Sequence, residues 1–185
     1  MKLSLLALRL AGWTIVGEMP KGLKKCVILA APHTSNWDFV YGRLAYNVLG
    51  VPVKFLIKKE SFQGPLGGFL KRMGGIPVDR GRSSNLVEQV ARLFHTSSQL
   101  NVVVTPEGTR KLVKTWKKGF YYIALKANVP IVMGFLDYAK KEVGFGPVIM
   151  PNGDFDKDYA TITAFYEQKT AKFPENFNLS PQNKA

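Results

Sequence analysis

The stretch CVILAAPHTSNWDF, residues 26–39, decides the fold. Its first six residues are apolar and rich in β-formers, which predicts a buried strand over 26–31 that ends at the following proline. The polar residues after that proline are of the helix-capping type, so a helix is predicted over Asn36–Leu49. A strand that leads directly into a helix is typical of an alternating α/β arrangement.

The rest of the chain continues this alternation. Continuous apolar strands need cover on both faces, so the pattern predicts an α/β fold with a largely parallel or mixed sheet flanked by helices. A length of 185 residues, without a repeat or a linker, fits a single domain over 1–185. The remaining predicted elements are strands at 53–60, within 74–82, at 100–104, 129–138 and 143–150, helices at 61–73, 86–94, 119–127 and 156–172, and a loosely held end at 174–185.

The basic charge of the chain is confined to its first four fifths. The net charge is +13, made up of +14 over residues 1–150 and −1 over residues 151–185. Such a surface favours polyanions, which include nucleic acid, anionic headgroups and phosphorylated small molecules. With a single cysteine, Cys26, the chain cannot form an intrachain disulfide, so we do not expect a disulfide-forming compartment. One cysteine and two histidines supply a zinc site poorly, so we also expect no bound metal.

Residues 1–17 predict an amphipathic helix with one apolar stripe. Core packing and docking on a membrane surface both fit this pattern, and the sequence leaves both open. No run approaches the roughly 18 apolar residues of a membrane span, and Arg9 interrupts the apolar run, so we expect neither a transmembrane segment nor a secretory signal. The stripe consists of Leu3, Leu6, Leu10, Trp13 and Val16.

A histidine and an aspartate flank the turn between the first predicted strand and its helix. His33 and Asp38 are five residues apart, which on one continuous helix would separate them by about 140°. They can therefore meet only across a turn. An Asp that accepts an imidazole N–H fixes its tautomer and leaves the other ring nitrogen to take a proton from a substrate hydroxyl. The alternative is that His33 and Asp38 merely cap the loop and the helix.

Two further strand ends carry arginine. TPEGTRK, residues 105–111, ends the most apolar strand, and IPVDRGR, residues 76–82, ends another. Arginine and glycine in such loops offer charge-assisted bonds and exposed amides to a phosphate. Sites in open α/β sheets lie at strand ends, so these loops are predicted to share one site with the histidine. The histidine and aspartate form a dyad suited to acyl transfer, and since no G-x-S-x-G motif is present, we expect the acyl group to pass directly from donor to acceptor without a covalent serine intermediate.

Four blocks in this order resemble the lysophospholipid acyltransferase family, typified by bacterial 1-acyl-sn-glycerol-3-phosphate acyltransferases. The blocks are PHTSNWD at 32–38, GGIPVDR at 74–80, PEGTR at 106–110 and VPIV at 129–132. The resemblance implies that His33 is the general base and that Asp38 orients it. It also implies an acceptor-phosphate site formed by Arg80, Glu107, Gly108, Thr109 and Arg110, and an acyl-donor side formed by Val129, Pro130 and Ile131.

The resemblance further implies the partners. The acyl donor would be acyl-CoA or acyl-carrier protein as a co-substrate, with no bound cofactor and no metal. The acceptor would be a lysophospholipid. The first candidate is 1-acylglycerol-3-phosphate, and another lysolipid or an amino-acid lipid are the alternatives. Such an enzyme would work in phospholipid biosynthesis in the cytoplasm, peripherally on the anionic cytoplasmic face of the inner membrane, and would not bind nucleic acid.

Two other functions compete with this one. A basic nucleic-acid-binding module fits the charge, although the sequence lacks zinc-finger spacing, an aromatic RNA-binding signature and a basic recognition helix. A hydrolase could use the same histidine and aspartate to transfer the acyl group to water.

Overall fold

The computed structural model describes residues 1–79 and 83–179. Within them the chain forms seven strands and six α-helices. The strands are β1 Thr14–Val16, β2 Lys25–Ala31, β3 Lys54–Lys58, β4 Gly75–Val78, β5 Leu100–Val104, β6 Ile131–Asp137 and β7 Glu142–Ile149. The helices are α1 Lys2–Leu10, α2 Asn36–Val48, α3 Gly67–Arg72, α4 Ser83–Thr96, α5 Gly119–Ala127 and α6 Phe155–Tyr166.

All seven strands belong to one mixed sheet in the order β1-β7-β6-β2-β5-β3-β4. The five strands from β6 to β4 are parallel to one another, and β7 pairs antiparallel with β6. β1 is parallel to β7 and so also runs against the other five. The carboxyl ends of β2, β4, β5 and β6 therefore meet at the same edge of the sheet. The predicted α/β fold with a largely parallel or mixed sheet is confirmed.

Alternate side chains of β2 enter two different cores. Val27 and Leu29 belong to the main core under α4, α5 and α6, whereas Cys26 and Ile28 belong to a second core under α2. All four residues are completely buried. Full burial of a valine, leucine or isoleucine side chain contributes about 1.5–3 kcal/mol. Cover on both faces explains why this strand is an uninterrupted apolar run.

The helix predicted over 61–73 is wrong in its first half. Lys59–Phe62 form one turn of 3-10 helix, and α3 occupies only Gly67–Arg72. The chain bends so tightly here that a Cβ on Gly67 would lie 2.2 Å from the carbonyl oxygen of Phe62. Gly64 and Pro65 between the two segments favour this bend over a continuous helix.

The helix predicted over 156–172 ends early, at Tyr166. Beyond it the chain returns to the sheet edge where β6 ends. The backbone N–H of Tyr138 donates to the carbonyl of Thr170 at 2.9 Å, and the N–H of Phe173 donates to Thr34 Oγ1 at 3.2 Å. These tertiary hydrogen bonds replace those of a longer helix.

The prediction of a loosely held end from Pro174 is wrong for the residues up to 179. The indole N–H of Trp116 donates to the carbonyl of Asn178 at 2.9 Å. Phe177 and Leu179 pack against the main core. Apolar side chains therefore hold this segment in place, and residues 180–185 lie outside the described part of the chain.

The N-terminal region 1–17 is a short helix followed by a strand, not one helix with one stripe. α1 ends at Leu10, and Gly12, with φ of +79°, turns the chain towards β1. The core-facing residues of α1 are Ser4 and Leu8. The predicted stripe is consequently divided, because Trp13 is buried while Leu3, Leu6 and Leu10 are 79%, 53% and 80% exposed. Among the described residues, no helix combines the length and the hydropathy needed to cross a bilayer.

Candidate active site

A cavity opens at the carboxyl edge of the sheet, between the loops that follow β2 and β5. Its volume is about 280 Å³, and it is lined by His33, Thr105, Gly108, Thr109 and Arg110. His33 comes two residues after β2, and the other four directly follow β5. The two motif-bearing loops that the sequence predicts to share a site therefore line one cavity.

The side chains of His33 and Asp38 meet across the turn that begins α2. The distance from His33 Nδ1 to Asp38 Oδ2 is 3.3 Å, and the two side chains are 20% and 4% exposed. A capping box creates this geometry, because Ser35 is the N-cap of α2 and Asp38 is its N3 residue. With Nδ1 directed at the carboxylate, Nε2 is the ring nitrogen available to a substrate.

Hydrogen bonds surround the Asp38 carboxylate. Oδ2 accepts the backbone N–H of Thr34 at 2.7 Å and that of Ser35 at 2.8 Å, and Oδ1 accepts the hydroxyl of Tyr138 at 2.7 Å. Burial raises the pKa of Asp38, but the hydrogen bonds from His33, Tyr138 and Ser35 outweigh burial and leave the pKa below its ordinary value. Asp38 is therefore an ionised acceptor that can orient the imidazole.

The carboxyl group of Glu107 lies beneath His33 and is not among the residues that line the cavity. Glu107 is only 2% exposed, and its Oε1 accepts the backbone N–H of His33 at 2.9 Å. Its Oε2 has no hydrogen-bond partner within residues 1–79 and 83–179. Burial raises the pKa of Glu107 to about 8. The buried carboxyl group of Glu107 thus holds the backbone of His33, and its part in the acceptor-phosphate site stays a prediction.

The loop after β5 carries the cationic side of the cavity. Gly108 has φ of +66°, the left-handed conformation that glycine adopts without strain. The Arg110 guanidinium is exposed and donates to the side chain of Asn36, the first residue of α2. The Lys117 ammonium approaches Gly108 so closely that a Cβ there would lie 3.0 Å from Nζ. The Lys117 ammonium, which lies against Gly108, thus adds a second cation to the Arg110 side of the cavity.

Arg80, the other predicted phosphate ligand, lies outside the described residues. β4 ends at Val78, at the same edge of the sheet as the cavity. The neighbouring Asp79 accepts from Lys59 Nζ at 2.9 Å. The role of Arg80 stays a prediction.

The structure does not bring Val129, Pro130 and Ile131 to the cavity. Ile131 begins β6 and pairs with Val27 near the start of β2, so it lies at the opposite edge of the sheet from His33. Val129 and Ile131 are 5% and 0% exposed. Two of the three residues therefore fill the core at the far edge, and the role of this block on the acyl-donor side stays a prediction.

Tyr138 is the site residue that sequence reasoning missed. It directly follows β6 and so lies at the functional edge, but its partner Asp38 is 100 residues away in the sequence. The position of an aromatic residue at the end of an apolar strand was the one available signal.

Fold and site together define a class: α/β proteins in which a histidine–aspartate pair faces a cation-lined cavity at the carboxyl edge of the sheet. The family model described as Acyltransferase matches residues 14–133, which is more than half of the chain. The chain therefore belongs to the acyltransferase family.

A solved structure shares the fold. The crystal structure of PlsC, the 1-acyl-sn-glycerophosphate (LPA) acyltransferase from Thermotoga maritima, is similar with a TM-score of 0.60 and 18% sequence identity. The match covers 92% of this chain and 79% of that chain. A comparison with curated proteins finds no match.

Proposed function

We propose that this acyltransferase moves a fatty acyl group from a thioester to the hydroxyl of a lysophospholipid, first of all 1-acylglycerol-3-phosphate, in phospholipid biosynthesis. One observation carries the proposal: the His33–Asp38 pair and the Arg110 guanidinium belong to the same cavity region, so a base and an anion-binding group can act on one molecule. The similar fold of an enzyme named for 1-acyl-sn-glycerophosphate supports this acceptor. Another lysolipid or an amino-acid lipid would use the same chemistry.

His33 is the general base in this mechanism. Nε2 takes the proton of the acceptor hydroxyl while the hydroxyl oxygen attacks the thioester carbonyl carbon. When the tetrahedral intermediate collapses, the carbon–sulfur bond breaks, and the proton on Nε2 passes to the departing thiolate. Asp38 accepts from Nδ1 throughout and stabilises the imidazolium that forms between the two steps. The products are the acylated lipid and the free thiol of CoA or carrier protein.

Arg110 and Lys117 hold the anionic group of the acceptor in this proposal. Both are exposed cations beside the cavity, and Arg110 is tethered to the start of α2, the helix that presents Asp38. A guanidinium can bind a phosphate through two parallel hydrogen bonds, which fixes both position and orientation. Arg80 would join them.

We also propose that α1 lies on an anionic membrane surface, on the cytoplasmic face of the inner membrane. Leu3, Leu6 and Leu10 project from α1 without cover, while Lys2 and Arg9 supply positive charge on the same helix. Leucine with flanking basic residues is typical of helices that lie in the lipid interface. Such docking would give the cavity access to lipid acceptors.

Release of thiol from acyl-CoA or acyl-carrier protein, measured over a panel of lysolipids, tests the proposed reaction. Thiol release that requires a lysolipid, with formation of the diacyl product, is the expected result. Release of free fatty acid without an acceptor would show the hydrolase instead. Nucleic-acid binding that survives His33→Ala, without thiol release, would favour the basic binding module.

A further inference from the structure

We infer that Tyr138 is a positioning residue that holds the Asp38 carboxylate in the orientation that faces His33. The inference deepens the proposed function and rests on it. The hydroxyl of Tyr138 donates to Asp38 Oδ1 at 2.7 Å, while the backbone amides of Thr34 and Ser35 occupy Oδ2, which also faces His33 Nδ1. The four donors together fix both carboxylate oxygens, and Tyr138 is the one that comes from a distant part of the chain.

The ring of Tyr138 is itself fixed by several segments. Its centroid is 4.9 Å from the ring of Trp13 in an edge contact and 6.4 Å from the ring of Tyr41 on α2. Its backbone N–H donates to the carbonyl of Thr170 in the returning C-terminal segment. Contacts of this kind fix the hydroxyl before a substrate arrives, and preorganised groups cost no reorganisation during the reaction.

The hydroxyl matters because Asp38 is only 5% exposed and water cannot readily replace a missing donor. Without Tyr138, Oδ1 would be a buried and unsatisfied charged oxygen. The carboxylate would then rotate towards other donors or take up a proton, and in both cases its hold on Nδ1 of His33 would weaken. Burial, together with Asp38 itself, raises the pKa of the Tyr138 phenol, so this hydroxyl stays a donor throughout the neutral range.

Tyr138→Phe keeps the ring and removes only the hydroxyl. We expect kcat to fall about 10-fold, because a hydrogen bond to a charged group is lost, while KM for both substrates changes less than about twofold. Tyr41→Phe is the matched control, because that ring belongs to the same aromatic cluster and its hydroxyl makes no hydrogen bond within the described residues. Its kcat should equal that of the wild type. An equal loss in both variants, or an unchanged kcat in Tyr138→Phe, would overturn the inference.

A second readout does not depend on turnover. The chain has only two histidines, His33 and His95, so the ¹⁵N chemical shifts of both imidazoles can be assigned. Asp38 favours the tautomer of His33 with the proton on Nδ1, and Tyr138→Phe should reduce that preference while His95 is unaffected. An unchanged tautomer ratio in Tyr138→Phe would contradict the inference, whatever happens to kcat. A changed ratio in a protein that acylates no lysolipid would support the positioning role and refute the proposed function.

Discussion

Two acidic residues, Asp38 and Glu107, hold different parts of His33 in place. Asp38 fixes the imidazole ring, and Glu107 fixes the backbone N–H of His33 at 2.9 Å. Glu107 comes from the loop after β5, so it joins the two loops that form the cavity. A neutral Glu107 carboxyl group can accept the backbone N–H of His33 without adding a second buried negative charge near Asp38, which would cost free energy.

Replacing Glu107 by glutamine should change how stability depends on pH. The carboxyl has an ordinary pKa of 4.5 and a folded-state pKa of about 8, so between these values the folded protein holds a proton that the unfolded chain has released. Rising pH therefore destabilises the wild type in this window, by at most about 5 kcal/mol at about 1.4 kcal/mol per pKa unit. Glu107→Gln removes that dependence.

Urea unfolding of both proteins at pH 5, 6.5 and 8 measures this difference. The free energy of unfolding of Glu107→Gln should rise relative to the wild type as the pH increases. The exposed Glu175→Gln serves as the control for removing one carboxyl group. Parallel pH dependences for wild type and Glu107→Gln would contradict the assignment of a neutral buried carboxyl group.

Arg110→Ala should weaken acceptor binding without abolishing the chemical step. Loss of a guanidinium that binds a phosphate is expected to raise KM for the lysolipid about 10- to 100-fold, while kcat changes less than about threefold. Steady-state thiol release at varied acceptor concentration measures both constants. Arg92→Ala on α4, where the side chain pairs with Glu88, is the control, and equal constants for both variants would contradict the role of Arg110.

Among the elements, α2 carries part of the site, and α1 packs against α2. The N-terminus of α2 supplies Asp38 through its capping box and anchors Arg110 through Asn36. α1 packs on α2 through Leu8, which is completely buried in a small core with Ala45. α2 thus presents Asp38 to His33, and α1 packs on α2 with three of its leucines exposed.

Changing all three exposed leucines of α1 to serine should release the protein from anionic vesicles. Leu3, Leu6 and Leu10 each have more than half of their surface exposed, so the fold should tolerate the change. Burial of one leucine in lipid is worth about 1.5–3 kcal/mol, so the loss of affinity should exceed 100-fold. Co-sedimentation with vesicles of phosphatidylglycerol and phosphatidylcholine measures it.

A matched triple variant controls for lost surface hydrophobicity. Tyr122, Leu125 and Met150 are also exposed, at 46%, 37% and 50%, and lie outside α1. Changing these three to serine should leave vesicle binding unchanged. Equal binding by the two triple variants would show that α1 is not the docking helix.

Over the whole molecule, the fold was predictable where the signal was local. β2, β5 and β6 are rich in apolar residues because both faces are covered, and the capping residues before α2 mark its beginning. β1 was missed because it has only three residues and a mostly exposed pattern. The division of the apolar stripe over 1–17 depends on the turn at Gly12 and on packing against α2, and no local pattern reports that packing.

The site, like the fold, was predictable where its residues lie close together in the sequence. His33 and Asp38 lie in one short motif, and their contact follows from the turn between them. The link between Tyr138 and Asp38 joins residues 100 positions apart, so no spacing rule indicates it. The resemblance implies that Glu107 belongs to the phosphate site, and no local pattern indicates that its carboxyl group is buried under the histidine loop.

The proposed base is tested most directly by comparing the two histidines of the chain. His95 is exposed on α4, away from the cavity lining, so His95→Ala is a matched control for His33→Ala. With acyl-CoA or acyl-carrier protein and 1-acylglycerol-3-phosphate, lysolipid-dependent thiol release should fall at least about 1000-fold in His33→Ala and equal the wild type in His95→Ala. Equal turnover in wild type and His33→Ala would contradict the account.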